Sequence, residues 1–434
     1  MSRRCPSLAS ALLLCAILQG ACAPASRRAP AQPGSTPGRE PVLRVALLAG
    51  APRVRIECAG EVRVWRVGSG LAGAARPAGS AFELAALSPA GRAGETPTAR
   101  LALIGARGDT LGVFAEALLF EPRSPEHPLQ VGGRPYRGEI LVRAEPGMRL
   151  TAINALRIED YLLGVVPVEI GSSESTPGAA LQAQAIAARS YALHYLGRRA
   201  ASHGCDLLAT VDDQAYGGIG AETGAASRAV AETRGIVAVH EGRAIRANYS
   251  STCGGRTEEA ERAWPGTGYP YLRSVRDAAG GGGFWCAESP HARWEVCWEC
   301  GQLAEIVLAR LPEEDPAARG RELGRLRDIE IAARSPSGRA EELRVSTDGG
   351  VFRVRGDRIR WLLRRPDGGP LRSTLIGRLR RSGKQECRIC LEGRGFGHGV
   401  GMCQTGALGM ARGGVPAEEI LRRYYRGVHL ARWW

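Results

Sequence analysis

Two stretches of the chain hold residue types that could do chemistry: YLLGVVPVEI, residues 161–170, and the glycine-laden GRGFGHGVGMCQTGALGMA, residues 393–411. In the first, Glu169 sits among Val166, Val168 and Ile170, so its carboxylate faces a desolvation penalty that raises its pKa toward that of a proton donor at neutral pH. The structural alternative is that Glu169 caps a helix or pairs with an arginine such as Arg189. In the second stretch, glycine occupies every second position from Gly393 to Gly401. Each costs roughly 0.5 to 1 kcal/mol in ordinary strand or helix, so the run must be offset by unusual dihedrals or by a close approach to the backbone. A phosphate cradle fits poorly, because the dinucleotide fingerprint wants a helix opening after a parallel strand. A flexible linker does not account for Phe396, His398, Met402 and Gln404.

The cysteines offer a second chemistry. An acyl-transfer site built on Cys253 or Cys403 with His398 lacks the helix N-terminus or base spacing that a thiolate wants. Of the 12 cysteines, Cys5 and Cys15 lie in the N-terminal 20 residues and a third is Cys22. Among the rest, CWEC (Cys297, Cys300) and CRIC (Cys387, Cys390) form two C-x-x-C pairs, readable as zinc knuckles or as two bridges. An exported chain favours bridges, and the odd remainder leaves one thiol free.

The elements that must position these residues follow from periodicity. From Leu43 to about Gln130, short alternating runs separated by Gly and Pro turns predict a small β-rich domain, residues 43–131. A hairpin follows in PYRGEILVRAEPGMRLTAIN. Ile158, Leu162 and Val165 then mark an amphipathic helix that Pro167 ends near Val166. Thr176 as N-cap and Pro177 as first residue open a second helix with Leu181, Ala185, Ala188 and Ala192 on one face. Glu169 is thereby expected in a short break between two helices.

The ends set the compartment. Residues 1–23 have a basic start, an apolar stretch and small residues, which is an export signal too short to span a bilayer. Cys22 follows LQGA, so a lipid anchor at Cys22 and ordinary cleavage both stay open; the anchor would be the sole membrane contact, in the periplasm or outer envelope. Residues 24–42 are Pro-, Ser-, Ala- and Arg-rich and read as a disordered tether. The formal net charge of +14 is carried by arginines spread along the chain without an aromatic-interleaved basic stripe. That argues against nucleic acid and for an anionic envelope polymer or membrane surface.

Four ordered stretches carry a resemblance: YLLGVVPVEI, ALQAQAIAARSYAL (180–193), NYSSTCGGRTEEAERAW (248–264) with PYLRSV (270–275), and the glycine run followed by EILRRYYRGV (419–428). Together they resemble the family of stage II sporulation protein D and the amidase enhancers, over roughly residues 132–434. The resemblance implies an α+β fold, a mixed catalytic domain with helices around an active-site groove, preceded by the β-rich domain. It implies lytic transglycosylation of peptidoglycan glycan strands, leaving 1,6-anhydro ends, with Glu169 as the catalytic acid. The sugar's own 6-hydroxyl is the nucleophile, so one carboxyl suffices and no cofactor is required. The alternative is a non-catalytic glycan binder that stimulates a cell-wall amidase partner.

In that reading the glycine run is a wall of the groove, where Gly397 and Gly399 let sugar rings lie against backbone. His398 and Gln404 would contact sugar, or His398 would orient the acid; Arg189, Ser190, Tyr216, Ser250 and Ser251 complete the expected substrate contacts. Cys253 and Cys286 stand where relatives carry a cysteine pair or zinc ligands. With His291 nearby a structural zinc is open, and a disulfide is favoured. Glu174 is a backup acid, while Glu159 reads as a solvated charge near a helix end. Tyr424 and Tyr425 read as core or rim, and the C-terminal LARWW as an edge strand or exposed foot. Cys403 and Thr405 depart from the family's serine and tyrosine beside the glutamine.

Overall fold

The computed structural model describes residues 38–67, 75–90, 98–115, 117–200, 204–383 and 387–434. The expected export signal and most of the tether, residues 1–37, lie outside them. The fold is α+β, and its first half is two antiparallel sheets packed face to face. One sheet has seven strands, joining Val42–Ala51 to Arg149–Arg157, Glu139–Glu145 and Leu118–Pro122. The other has six, centred on Arg53–Cys58, Ser80–Ala90 and Thr98–Gly105. Alternate residues point inward: Val54, Ile56, Phe82 and Leu84 from one sheet meet Leu43, Val45, Phe120 and Ile140 from the other in one continuous core. Phe82 and Phe120 cross that interface with ring centroids 5.6 Å apart.

The expected boundary at 131/132 does not hold, for a topological reason. Val42–Ala51 pairs antiparallel with Arg149–Arg157, and Leu129–Val131 pairs with Arg134–Tyr136, so both sheets cross it. The tether is also shorter than expected: the Gly38 amide donates to the Trp433 carbonyl at 2.7 Å, and Glu40 pairs with Arg234.

Six helices of eight residues or more are present among the described residues: α1 Ile158–Ile170, α2 Gly178–Tyr195, α3 Gly224–Glu232, α4 Cys300–Glu314, α5 Gln404–Arg412 and α6 Ala417–Tyr424. None is long and apolar enough to cross a membrane. Helix α1 runs through Pro167 instead of stopping before it. Pro167 has no N–H to give the Leu163 carbonyl, and the next carbonyl, that of Gly164, accepts from the Gly217 amide at 3.0 Å. Helix α2 opens one residue later than expected, with Pro177 as its cap, because the Thr176 hydroxyl turns back to accept from the Ser173 amide at 2.9 Å.

Helix α2 is buried on nearly every face, and the small side chains of its alanines let α1, α3, α5 and α6 pack against it. Its one buried cation, Arg189, is fully enclosed and held by Glu159, which is 7% exposed. Nη2 to Oε2 is 2.6 Å and Nε to Oε1 is 3.0 Å, while the Gly235 amide and the Trp434 indole N–H also donate to Glu159. Glu159 is therefore a structural anchor and not a solvated charge. Replacing it by alanine strands the guanidinium, and breaking a buried pair from one side costs about 3 to 5 kcal/mol. Urea unfolding of Glu159→Ala should show that loss; a change under 1 kcal/mol would contradict the pairing.

The C-terminal stretch forms the strand His429–Arg432 beside Ile236–His240, and Tyr424 and Tyr425 are core residues. Residues 294–393 add a separate lobe. Two three-stranded sheets and α4 enclose their own core of Trp298, Leu303, Val307, Leu343 and Phe352. Cys297–Cys390 and Cys300–Cys387 staple it as crossed bridges between the two C-x-x-C pairs.

Candidate active site

Glu169 lies in the last turn of α1, half-buried beside the exposed Val168. Its Oε1 accepts from the Ala215 amide at 2.6 Å, and the Gln404 amide and Tyr249 hydroxyl lie near enough to favour its charged form. The Tyr249 hydroxyl in turn accepts from Gln214 Nε2 at 2.8 Å, which directs its proton toward Glu169. Gln214 is fixed by Tyr161, whose hydroxyl donates to Oε1 at 3.3 Å, and by the Ala188 carbonyl. Burial opposes ionisation of Glu169 while the three donors favour it. Burial is the larger effect and pushes the pKa from 4.5 up to about 7. A carboxyl so balanced can give a proton near neutrality and take one back.

Gln404 is brought to this carboxyl because Met402–Cys403 pairs in parallel with Tyr249–Ser250, which sets Tyr249 beside the strand that leads into Gln404 at the start of α5. Gln404 Nε2 lies 3.4 Å from Gln184 Oε1, and Gln184 Nε2 and Ser250 Oγ have no hydrogen-bond partner. Tyr249, Gln214 and Gln184 were not read from the sequence. Gln184 stood within a quoted helix motif, but only the fold shows that it faces Gln404.

Several expected contacts are placed elsewhere. Arg189 belongs to the Glu159 anchor. Ser190 is fully buried; its hydroxyl donates to the Ile186 carbonyl at 2.6 Å and accepts from the Ala238 amide. Tyr216 is core, donating to Asn154 at 3.1 Å and packed between Tyr136 and Tyr161. Ser251 is half-buried, and its carbonyl accepts from the Thr405 amide and hydroxyl. Glu174 forms a surface pair with Arg228.

His398 does not orient the acid: Nδ1 accepts from the Val400 amide at 3.0 Å and the ring lies 4.8 Å from that of Trp264. Burial lowers its pKa to about 4, so it is a neutral packing residue.

The glycines face protein, not an open wall. A Cβ at Gly397 would stand 2.9 Å from Ser250 Cβ, at Gly399 2.3 Å from the Arg339 guanidinium, and at Gly401 2.0 Å from the Asn248 carbonyl. All three have positive φ. The alternation thus lets the run thread between Arg339 and residues 248–252, carrying Gln404 to Glu169.

A second constellation adjoins the first. Cys253, Asp277, Cys286 and Cys403 are buried, and their ligand atoms lie within 4.8 Å of one another. The Cys253 and Cys286 sulfurs are 3.7 Å apart, not bonded, so the favoured disulfide is absent. Five thiols are free among the described residues: Cys58, Cys205, Cys253, Cys286 and Cys403. His291 is not part of the cluster; it packs edge-on against Phe396 and meets Arg372 at 3.2 Å. Cys403 and Asp277 take its place, and Asp277 gave no signal in the sequence beyond following PYLRSV. The Asp277 carboxyl accepts from Tyr424 at 2.6 Å and from the Cys286 amide at 3.1 Å, and burial beside Cys286 pushes its pKa up to about 7. The neighbouring thiols hold Cys286 toward its thiolate. Amides of Cys253 and Gly406 point at the Cys403 sulfur, at 3.1 and 3.3 Å.

Comparison with known proteins bears on this geometry. The model of the stage II sporulation protein family matches residues 147–240, the segment carrying Glu169, α2 and Gln214. An uncharacterized protein of Brachyspira hyodysenteriae is 30% identical over 332 residues, covering 75% of this chain and 80% of that one. The chain belongs to the stage II sporulation protein D family. Stage II sporulation protein D of Bacillus amyloliquefaciens is 28% identical over 294 residues, 64% of this chain and 76% of its own length. The amidase enhancer of Bacillus subtilis is 26% identical over 295 residues, 62% of this chain and 40% of that protein. A domain of unknown function matches residues 279–401, the stapled lobe and the alternating glycines from Gly393 to Gly401, so this member of the stage II sporulation protein D family joins two recognised segments.

Proposed function

We propose that this protein is an exported peptidoglycan lytic transglycosylase with Glu169 as its catalytic acid and base. The observation that carries the reading is a single half-buried carboxyl with a pKa of about 7, bonded by one backbone amide with a phenol and a primary amide close by. Protonated Glu169 gives its proton to the glycosidic oxygen between N-acetylmuramic acid and N-acetylglucosamine, and that bond breaks. The 6-hydroxyl of the same muramic residue bonds to the anomeric carbon, and its proton passes to the Glu169 carboxylate. No water is consumed, the acid is regenerated, and the product carries a 1,6-anhydro ring. The Ala215, Tyr249 and Gln404 donors stabilise the carboxylate between the two transfers.

The similarity to an amidase enhancer supports a second reading, in which the chain binds glycan and stimulates a cell-wall amidase without cutting. Incubation of the mature chain with peptide-stripped glycan strands, followed by mass analysis of the ends, separates the two. Anhydro ends are expected; intact strands that bind but never shorten would leave the enhancer.

The Cys253, Asp277, Cys286 and Cys403 cluster fits a structural zinc. Zinc–sulfur bonds of about 2.3 Å at tetrahedral angles separate two sulfurs by about 3.8 Å, against 3.7 Å for Cys253 and Cys286. Hydrogen bonds from Tyr424 and backbone amides already orient Asp277 and Cys403, as ligands of a buried ion require. Bound there, zinc would neutralise the buried anions and tie the Cys253 loop to the residue preceding Gln404.

A further inference from the structure

One cation near the acid has no anionic partner. Arg246 is half-buried, and its guanidinium carbon lies 4.8 Å from the centre of the Trp264 ring, 5.7 Å from that of Tyr269 and 5.8 Å from that of Tyr195. Its Nε is buried without an acceptor, while its two terminal nitrogens are open to solvent and make no hydrogen bond or ion pair among the described residues. Arg198, 4.7 Å over the Tyr195 ring, adds a second positive charge. Trp264 and Tyr269 are themselves half-buried, so a guanidinium fork and two aromatic side chains meet solvent together.

This patch adjoins the acid. Tyr249, beside the Glu169 carboxyl, is three residues from Arg246, so their Cα atoms lie within about 11 Å. A second path agrees: Gln214 donates to the Tyr249 hydroxyl at 2.8 Å and to the Ala188 carbonyl at 3.3 Å. Tyr195 is seven residues beyond Ala188 on α2, about 10 Å along the axis. Trp264 also rests on His398, ring centroids 4.8 Å apart, in the glycine run that carries Gln404. An unpaired guanidinium thus stands about one disaccharide from the acid.

We infer that Arg246 binds the lactyl carboxylate of a muramic residue one disaccharide from the bond cut at Glu169, and so selects the strands the site accepts; this rests on the proposed substrate. N-acetylmuramic acid differs from N-acetylglucosamine by a 3-O-lactyl ether. The lactyl carboxyl is an amide where a stem peptide is attached and a free carboxylate where the peptide has been removed. Because the two sugars alternate, a strand with one muramic residue at Glu169 presents the next a disaccharide away, at the guanidinium. The fork meets a carboxylate through two parallel N–H bonds, whereas an amide offers a single uncharged acceptor. Attraction to the Trp264 and Tyr269 rings holds the fork in place before the ligand arrives.

Titration calorimetry on the full chain in the Glu169→Gln background, where no strand is cut, tests this. The ligands are peptide-stripped glycan oligomers, the same oligomers with each lactyl carboxylate converted to its methylamide, chitin oligomers of equal length, and poly(glycerol phosphate). Arg246→Gln removes the charge and the fork, and Arg246→Lys removes the fork alone. Arg246→Gln should weaken stripped oligomers about tenfold or more, the loss expected for charge-assisted hydrogen bonds, with Arg246→Lys between. Methylamidation should cost the protein that retains Arg246 as much, while methylamides and chitin oligomers should bind with and without Arg246 within about twofold. Undiminished affinity of Arg246→Gln for stripped oligomers overturns the inference. An equal loss for all three glycans does so too, making Arg246 a packing residue of the patch, as does arginine-dependent binding of the phosphate polymer alone. If the parent never cuts stripped strands yet the carboxylate-specific loss persists, the transglycosylase reading fails and the carboxylate site stands. Anhydro ends released at equal rates from stripped and methylamidated strands would do the reverse.

Discussion

Glu169→Gln should abolish release of anhydro ends from peptide-stripped glycan, lowering turnover by about 10²- to 10⁴-fold, the range of a positioned general acid. The amide can still accept from Ala215 and fill the same space, so binding should persist. The parent enzyme should lose activity as pH rises through about 7, because the proton to be delivered is then gone. Stability should fall with rising pH in the parent through this group and not in the glutamine variant. With a folded pKa of about 7 against 4.5 unperturbed, the folded chain holds this proton more tightly than the unfolded chain. The group's contribution is complete below pH 4.5 and is lost as pH rises to about 7, a difference of about 3 kcal/mol. At pH 8 the glutamine variant should therefore melt above the parent, and at pH 4 the two should coincide. A variant that cuts normally, or a parent whose activity is flat from pH 6 to 9, would remove Glu169 from the chemistry.

Cys403→Ser should release one zinc per chain and destabilise the fold by about 3 to 5 kcal/mol, the cost of leaving buried charges uncompensated. Metal analysis of the purified chain and thermal unfolding with and without a chelator measure both effects. A parent free of zinc, or a Cys253–Cys286 bridge found by non-reducing peptide mapping, would end this reading of the cluster. Loss of the ion should also lower activity through Gln404, which follows Cys403 directly and favours the charged form of the Glu169 carboxyl.

The buried face of α1 was legible because Ile158, Leu162 and Val165 mark it and valines crowd the Glu169 carboxyl, but Glu169 was expected in a break after the helix and lies in its last turn. The course of α1 through Pro167 was not, since the partner of the Gly164 carbonyl lies 53 residues further on, at Gly217. Alternating strands in the first half were equally legible, but not their pairing with Arg149–Arg157, because period-two patterning fixes a face and not a neighbour. The glycine run announced close approach and concealed what approaches: a guanidinium and a neighbouring backbone fill the space a ligand was expected to take. Arg189, Ser190 and Tyr216 had the right types for substrate contact, and burial alone reassigns them. Asp277 was hidden because a lone aspartate carries no spacing.

The hydrogen bond from Gly217 to the Gly164 carbonyl, one turn before Pro167, has a mechanical consequence. Residues 215–217 grip α1 at two points, by that bond and by the Ala215 amide on Glu169, so loop and helix end are tied together on both sides of Pro167. The Glu169 carboxyl is thereby fixed in part by the backbone of a loop 46 residues further along the chain.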